Sequence, residues 1–249
     1  MNCLKQVESG IISSKKDLDA FAKKKTAKLL VVSDSHGMFS ALSRVILKYG
    51  ESSDALVFAG DGVSDLAAFL NSCAKNDAFL KCLPPVVAFV RGNNDASMFS
   101  VQFDVDADDE LPCTSFDNTG AGFPPLSFNS TSFFYVTAPK SVVLKVAGKT
   151  VFVTHGHEYG AYYATSGIEQ AALEHSAHIA IFGHTHFPFE ELHEVYIINP
   201  GSLSYPRNHS RPGFAFLNIT ERENCTVFLR GVSSALTDFE PYNPELLYW

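Results

Sequence analysis

The chain of 249 residues has few cysteines, and their spacing argues against a disulfide framework. They are odd in number and no pair shows Cys-x-x-Cys spacing; the five are Cys3, Cys73, Cys82, Cys113 and Cys225. This pattern is typical of reduced thiols in a cytosolic protein.

Long apolar segments are also absent. No run reaches the ~18 apolar residues that a membrane span needs. Residues 1–12 carry Glu8 and Gly10 where a signal peptide would have an unbroken apolar stretch. We therefore expect a cytoplasmic protein that does not associate with membranes.

Basic residues are outnumbered, with 19 Lys and Arg against 27 Asp and Glu and a net charge of −8. An acidic protein does not bind nucleic acid stably through its overall field, although a local metal site would still attract phosphate. No segment reads Gly-x-x-x-x-Gly-Lys-Ser/Thr, so the phosphate loop of nucleotide triphosphate motors is excluded. Bulk electrostatics therefore select no polyanion partner.

Short apolar runs that end in polar side chains are the most informative feature present. Such runs, rich in Val, Ile, Leu and Phe, predict buried strands: Leu29 to Val32, Ala55 to Ala59, Val86 to Val90, Thr150 to Val153 and His178 to Phe182. The clusters that follow them are Asp34-Ser35-His36, Gly60-Asp61, Gly92-Asn93-Asn94-Asp95, His155-Gly156-His157 and Gly183-His184-Thr185-His186. Ligands of open α/β sheets bind beyond the carboxyl ends of the strands, so these clusters predict one composite site.

The domain organisation follows from composition. With 46% hydrophobic residues the chain can bury a full core, and we expect a single domain over residues 28–249. Residues 1–27 are predicted to be a helical or frayed extension. Residues 103–139, first acidic and then rich in Ser, Thr, Asn, Gly and Phe, are predicted to be an insertion. It is either a lid or specificity element over the site or a decorative loop.

The side chains in the clusters have the chemistry of metal ligands. The set is Asp34, His36, Asp61, Asn93, His155, His184 and His186. Nitrogen and oxygen ligands without thiolate suit Mn, Zn, Fe, Co or Ni. Seven ligands with one shared carboxylate make two four-coordinate sites, and paired metals ~3.5 to 4 Å apart are characteristic of phosphatases, nucleases and aminopeptidases.

The order of the motifs resembles the calcineurin-like metallophosphoesterase superfamily: Asp-x-His, Gly-Asp, Gly-Asn-x-Asp, His-Gly-His and Gly-His-Thr-His. Gly-Asn-x-Asp and the segment Asn199-Pro-Gly-Ser-Leu-Ser-Tyr-Pro-Arg207 resemble its small bacterial and archaeal phosphodiesterase branch. The match covers roughly Lys28 to Arg230. It implies an α/β protein, a four-layer α/β/β/α sandwich with a dinuclear metal site at the carboxyl ends of its strands.

The resemblance also implies a role for each ligand. Asp34, His36 and His186 would bind one ion, and Asn93, His155 and His184 the other, while Asp61 would bridge them. Residues i and i+2 of an extended segment point the same way, so we expect extended backbone at 34–36 and 184–186. The implied cofactor is two divalent ions, with manganese favoured over zinc, iron, nickel or cobalt. Water held between the ions, with its pKa lowered toward ~7, would supply the hydroxide that attacks the phosphorus of a small phosphate ester in line.

The chain departs from the wider superfamily at the residue after the metal-binding asparagine. Phosphatases there carry a histidine that protonates the leaving group, whereas this chain has Asn94, which cannot act as an acid. Either the leaving group departs unaided, or another donor such as metal-bound water or His157 protonates it. His157 is our candidate beside the catalytic Asp61, and the alternative is a histidine that only supports a ligand or the structure. Asn94 and Arg207 are predicted to bind substrate, and Asp95 and Asn199 to stabilise turns.

Other functions remain open at this point. The favoured activity is a phosphodiesterase, with a phosphomonoesterase or a nuclease as enzyme alternatives. A protein-binding scaffold on the same fold, as in the retromer subunit vacuolar sorting protein 29, is the alternative from a different class. A symmetric homodimer is the default expectation for oligomeric state.

Overall fold

The structure is a computed structural model that describes residues 4–104, 131–231 and 236–244. In chain order its elements are β1 (Gln6–Glu8), β2 (Ile11–Ser13), α1 (Lys15–Ala22), β3 (Thr26–Val32), α2 (Phe39–Tyr49), β4 (Ala55–Phe58), α3 (Val63–Cys73), α4 (Asp77–Cys82), β5 (Val86–Phe89), β6 (Met98–Asp104), β7 (Thr131–Thr137), β8 (Ser141–Val146), β9 (Lys149–Thr154), a 3-10 turn (His157–Tyr159), α5 (Ser166–Glu174), β10 (Ile179–Ile181), β11 (Pro188–Leu192), β12 (Tyr196–Pro200), β13 (Gly213–Thr220), β14 (Asn224–Gly231) and β15 (Phe239–Tyr242).

Two sheets form the centre of the fold. The larger sheet has the strand order β1-β2-β5-β4-β3-β13-β14-β15, and the smaller one has the order β11-β12-β10-β9-β8. Strands β3, β4 and β5 run parallel to one another, as do β9, β10 and β12. The carboxyl ends of the parallel strands carry the polar clusters, so the topology directs these clusters to one edge.

Alternation along each strand produces the layers. On β3, Leu30 and Val32 pack with the helices α2 and α3, whereas Leu29 and Val31 face the smaller sheet. The far side of the smaller sheet packs on α5 through Phe152 and neighbouring apolar side chains. Because the side-chain period of a strand is two, one apolar run supplies both core faces. The result is the predicted four-layer α/β/β/α sandwich.

The amino-terminal segment differs from the helical or frayed extension that we expected for residues 1–27. Strand β2 pairs antiparallel with β5, with Ile11 opposite Ala88 and Ile12 opposite Val87, and β1 pairs with β2. Ile11 and Ile12 are buried, because the edge of the larger sheet offers them both a hydrogen-bonding strand and two apolar faces. Strands β1 and β2 thus belong to the larger sheet, and the helical part of the expectation is met, in residues 4–27, by α1 alone.

The flanks of the predicted insertion form an antiparallel pair, β6 with β7, in register from Met98 opposite Thr137 to Asp104 opposite Thr131. The rest of the predicted insertion, residues 105–130, lies outside the described residues. In the part of the chain that the structure describes, no helix is long and apolar enough to cross a membrane.

Candidate metal centre

The site forms where the ends of β3, β4, β9 and β10 meet. Backbone hydrogen bonds join the loops that follow these strands: Asp34 N–H donates to Gly60 O at 2.9 Å, and His36 N–H donates to Asp61 O at 3.0 Å. Gly183 N–H donates to His155 O at 3.1 Å within the smaller sheet. The loops therefore hold one another in position before any side chain is considered.

The backbone at the ligands is left-handed, not extended as we expected for 34–36 and 184–186. The φ angles are positive at Asp34 (54°), His36 (43°), Asp61 (54°), His184 (68°) and His186 (60°). Non-glycine residues adopt this region rarely, at a cost of about 1 to 3 kcal/mol each, and it concentrates at functional sites. Five of the seven predicted ligands share it, so the fold holds these side chains in costly positions.

The first group of ligand atoms belongs to Asp34, His36 and His186. His186 Nε2 lies 3.1 Å from Asp34 Oδ1 and 3.0 Å from His36 Nε2. His186 Nδ1 lies 2.7 Å from the carbonyl oxygen of Tyr205, which can only accept, so Nδ1 carries the proton and a neutral ring has its lone pair on Nε2. Two nitrogen ligands of one ion at ~2.0 to 2.1 Å are roughly 3 to 3.4 Å apart. The spacing of the two imidazoles matches that value.

The second group belongs to Asp61, His155 and again Asp34, whose ligand atoms lie within 4.8 Å of one another. His155 Nδ1 lies 2.7 Å from the carbonyl oxygen of Ala59, and Nε2 lies 3.4 Å from Asp61 Oδ2. Asp61 Oδ2 is also 3.7 Å from His36 Nε2, so this carboxylate stands between the two groups. The ring of His184 completes this side, with its centroid 5.1 Å from that of His155.

Two buried ligand atoms have no hydrogen-bond partner among the described residues, Asp34 Oδ1 and His155 Nε2. A buried polar atom without a partner costs about 1 to 3 kcal/mol, more when it is charged. Both atoms are acceptors when the rings are neutral, and they face other acceptors. A cation between them satisfies all of these atoms at once, so the donor set fits a metal ion.

The charges in the site favour bound cations. Burial alone would raise the pKa of Asp34 and of Asp61, but the neighbouring histidines lower both, with Asn94 adding to the effect at Asp61. The bond to Asp34 raises the pKa of His36, and although burial lowers that of His155, the carboxylates raise it overall. Two carboxylates thus draw either protons or metal ions into this pocket.

His184 behaves differently from the other imidazoles. Burial and the charge of His155 lower its pKa to about 4. A neutral imidazole is the form that binds a metal, and His184 is neutral at physiological pH. Its side chain is therefore ready to act as a ligand without losing a proton.

The segment Gly92 to Asp95 places its side chains in an unexpected order. Asn94 donates from its backbone N–H to Asp61 Oδ1 at 2.9 Å and from Nδ2 to Asp61 Oδ2 at 2.6 Å, whereas Asn93 is exposed and has no hydrogen bond to another described residue. Gly92 allows the close approach, because a Cβ there would lie 2.0 Å from Asp61 Oδ1. Asn94 is thus the residue that orients Asp61.

Asp95 is confirmed as a residue that stabilises turns. Its carboxylate accepts four backbone N–H bonds of 2.7 to 2.9 Å, from Asp61, Gly62, Val63 and Gly92. It joins the loop after β5 to the start of α3, where a negative charge is favourable. Asn199 is confirmed in the same role, donating from Nδ2 to Gly183 O at 2.7 Å and accepting from Gly201 N–H at 2.9 Å.

Comparison with known proteins agrees with this geometry. A family model described as the calcineurin-like phosphoesterase superfamily domain matches residues 28–222. The chain belongs to this superfamily. Membership in this superfamily identifies the site as the metal centre of a metallophosphoesterase.

Two curated relatives and one solved structure illustrate the similarity. The chain is 26% identical to the probable metallophosphoesterase YsnB of Bacillus subtilis, over 80% of this chain and 88% of that protein. It is 27% identical to the phosphodiesterase YfcE of Escherichia coli, over 77% and 87%. The structure of Vacuolar Protein Sorting 29 from Cryptosporidium parvum aligns with a TM-score of 0.58 and 14% identity, over 88% of this chain and 97% of that chain. The last likeness concerns the fold alone.

The remaining predicted residues of this phosphoesterase domain lie beside the ligands. His157 is partly exposed, with its ring centroid 5.4 Å from that of His155 and 6.0 Å from that of His184. Burial and the charge of His155 lower the pKa of His157. Arg207 is exposed, and its backbone N–H donates to His186 O at 3.1 Å.

Sequence reasoning missed several residues that support the superfamily site. Ser202 and Ser204 donate to the carbonyl oxygen of Asp34 at 2.8 and 2.9 Å, and Asp65 accepts from Ser35 Oγ at 2.6 Å. Tyr162 donates to His184 O at 3.0 Å. The serines fall inside the segment Asn199 to Arg207 that carried the resemblance, but Tyr162 has no motif that marks it.

Proposed function

We propose that this chain is a metal-dependent phosphodiesterase that uses two divalent ions to hydrolyse a small phosphodiester. The observation that carries the proposal is the pair of buried, partnerless ligand atoms, Asp34 Oδ1 and His155 Nε2, one in each group. The diester class is supported by YfcE, which is named as a phosphodiesterase. It is also supported by Asn94 at the position where superfamily phosphatases carry an acid.

In this proposal each ion has its own set of ligands. Asp34, His36 and His186 would hold one, and His155 and His184 would hold the other together with Asn93, with Asp61 between the two. Metal ions in such a pair activate water and neutralise charge on phosphoryl oxygens. Manganese suits these nitrogen and oxygen ligands, as do zinc, iron, nickel and cobalt.

The protein groups around the ions have separate tasks in this proposal. The carbonyl oxygens of Ala59 and Tyr205 fix the rings of His155 and His186, so that each Nε2 faces the centre. Asn94 holds both oxygens of Asp61, and its exposed side chain is free to meet substrate. His157, neutral at pH 7 because its pKa is lowered, offers a hydrogen bond to the leaving oxygen.

The test is to purify the full chain with added Mn²⁺ and to count bound metal by mass spectrometry of the elements. Hydrolysis of bis(p-nitrophenyl) phosphate is then compared with that of p-nitrophenyl phosphate. We expect two ions per chain and faster hydrolysis of the diester. Asp61→Ala and His184→Ala should abolish both metal retention and activity.

His178→Ala is the matched control, because His178 is exposed just before β10, at the strand end opposite the ligands, where its Nδ1 lies 3.1 Å from Thr150 N. It should keep metal and activity. A metal content well below two, or unchanged activity in both ligand variants, contradicts the dinuclear enzyme and favours the scaffold. Activity confined to the monoester contradicts the substrate class alone.

A further inference from the structure

A cavity of about 420 Å³ lies beside the ligand loop 184–186. Six of the residues that line it are Tyr162, Thr165, Thr185, Phe189, Glu191 and Arg207. Its volume is within the range of pockets that hold small molecules, and its wall is mostly apolar with a few polar groups. None of the seven predicted ligands lines it, so it is a separate compartment from the metal centre.

Two contacts connect the cavity to the metal centre. The ring centroid of Tyr162 lies 4.5 Å from that of His184 at an angle of 63°, and its hydroxyl donates to His184 O. Arg207 donates from its backbone N–H to His186 O. A molecule whose phosphate sits at the ligands would therefore have the cavity directly next to it, with Tyr162 as the shared wall.

The cavity offers aromatic faces and one cation. The guanidinium carbon of Arg207 lies 5.2 Å from the centroid of the Tyr162 ring, and no carboxylate of the described residues lies within ion-pair distance of it. The carboxylate of Glu191 is already bound, by Thr165 Oγ1 at 3.1 Å and by His193 Nε2 at 2.6 Å. Among the described residues that line the cavity, the charge without an ion-pair partner is therefore the positive charge of Arg207.

We propose that this cavity binds a planar aromatic ring carried on one ester oxygen of the substrate. Tyr162 is the specificity residue, because its ring supplies a stacking surface and its side chain is about half exposed. Arg207 contacts the ring or a phosphate oxygen through its guanidinium, which has no ion-pair partner in the described part of the chain. This inference rests on the proposed phosphodiesterase activity, and it names the kind of substrate.

The test measures binding and not turnover, so that it is independent of activity. Phenylphosphonate and methylphosphonate are titrated calorimetrically into the Mn²⁺-loaded full chain, because the two share the phosphonate and differ in the ring. We expect phenylphosphonate to bind about tenfold more tightly, the effect of one aromatic stacking contact. The affinities of adenosine monophosphate and ribose 5-phosphate are then compared in the same way. Whichever of the two pairs gives the larger affinity ratio shows whether a nucleobase or a simple aryl group is preferred.

The variants isolate Tyr162. Tyr162→Ala should abolish the preference for the aromatic ligand, while Tyr162→Phe, which keeps the ring and loses the hydroxyl, should retain it. Tyr135→Ala is the matched control and should retain it too, because Tyr135 is an exposed tyrosine on β7 that does not line the cavity. Thermal unfolding shows that each variant is folded.

Equal affinity of the wild-type protein for the two phosphonates would overturn the inference. So would a preference that survives in Tyr162→Ala. Either result leaves the phosphodiesterase proposal standing if the metal content is two and the bis-aryl diester is still hydrolysed. Loss of that hydrolysis in the wild-type protein contradicts the proposed function instead.

Discussion

The metal centre and the adjoining cavity are built in opposite ways, although the loop 184–186 contributes to both. In the centre, the ligands Asp34 and His155 are fully buried, and each is held by a hydrogen bond, from Ser33 Oγ to Asp34 and from His155 Nδ1 to the carbonyl oxygen of Ala59. In the cavity, the side chains of Tyr162 and Arg207 are exposed and lie against each other, and Tyr162 also contacts His184. The centre is therefore held in shape by buried contacts, whereas the exposed side chains of the cavity are free to adjust to a ligand. We propose that the centre carries the chemistry and the cavity carries the selectivity.

The largest effect that would test this contrast is expected for Asp61→Asn. The substitution keeps the shape of the side chain and removes the charge that lies between the two ligand groups. Mutating a residue that only hydrogen-bonds to a metal ligand lowers metal affinity by about 10- to 100-fold. Loss of the carboxylate shared by the two ligand groups should therefore lower the affinity for Mn²⁺ by more than about 100-fold. Calorimetric titration with Mn²⁺ measures it.

Asp19→Asn is the control for that substitution, because Asp19 is exposed on α1. It should bind Mn²⁺ with the stoichiometry and affinity of the wild-type protein. If Asp61→Asn also binds two ions with unchanged affinity, Asp61 does not bridge them, and the contrast between a rigid centre and an adaptable cavity loses its central residue.

A smaller effect is expected for Gly92→Ala, because this substitution replaces none of the ligand residues. Its Cβ would lie 2.0 Å from Asp61 Oδ1 and 2.8 Å from Asp61 N, so the carboxylate must move. We expect metal affinity to fall by about 10- to 100-fold, as for a disturbed outer contact. Mn²⁺ titration gives the affinity, and thermal unfolding gives the accompanying loss of stability.

Gly148→Ala separates this clash from general backbone strain. Gly148 has a φ of +71° and nothing within 4 Å of the added Cβ. The variant should unfold at a lower temperature and bind metal as tightly as the wild-type protein. A parallel loss of metal affinity in Gly148→Ala would show that strain anywhere in the fold weakens the site.

Asp95→Asn is expected to change stability more than chemistry. The amide oxygen cannot replace a carboxylate that accepts four N–H bonds, and hydrogen bonds to charged groups are worth about 1.5 to 3 kcal/mol. We expect the free energy of unfolding to fall by about 2 kcal/mol in urea denaturation. Asp77→Asn, at the start of the exposed helix α4, should change it by less than about 0.5 kcal/mol. Equal losses of unfolding free energy in the two variants would show that Asp95 has no special role in stability.

The smallest effect on the metal centre is expected for Tyr205→Ala. Although Tyr205 fixes the ring of His186, it does so through its carbonyl oxygen, which the substitution keeps. Its side chain is 61% exposed. The free energy of Mn²⁺ binding should stay within about 0.5 kcal/mol of the wild-type value. A larger loss would mean that the exposed ring takes part in the centre.

The layers and the gathering of the ligands were predictable because both depend on short-range patterns. Apolar runs such as Ala55 to Phe58 are buried on both faces, and their carboxyl ends must meet at one edge of a parallel sheet. The left-handed backbone at His184 and His186 was not predictable in the same way. It depends on hydrogen bonds to residues far along the chain, such as that from Asn199 to Gly183 O, and the expected extended segments were wrong for this reason.

Two further features had no local signal. The turn of the loop after β5 determines whether Asn93 or Asn94 contacts Asp61. The close approach of Gly92 to Asp61 fixes that turn. Tyr162 lies in a segment without periodicity between the 3-10 turn and α5, and only the folded chain brings its ring to His184. Residues 4–13 were too short and too polar around Gly10 to indicate strands.

The pairing of β2 with β5 has a consequence for handling the protein. Strand β5 is buried along its whole length, and without residues 4–13 its backbone N–H and C=O groups would form an open edge. Open apolar edges pair with other chains and cause aggregation, whereas β1, short and ending at Glu8, is a protected edge. Recombinant versions trimmed to residue 28, where the family match begins, are expected to precipitate at concentrations at which the full chain remains in solution.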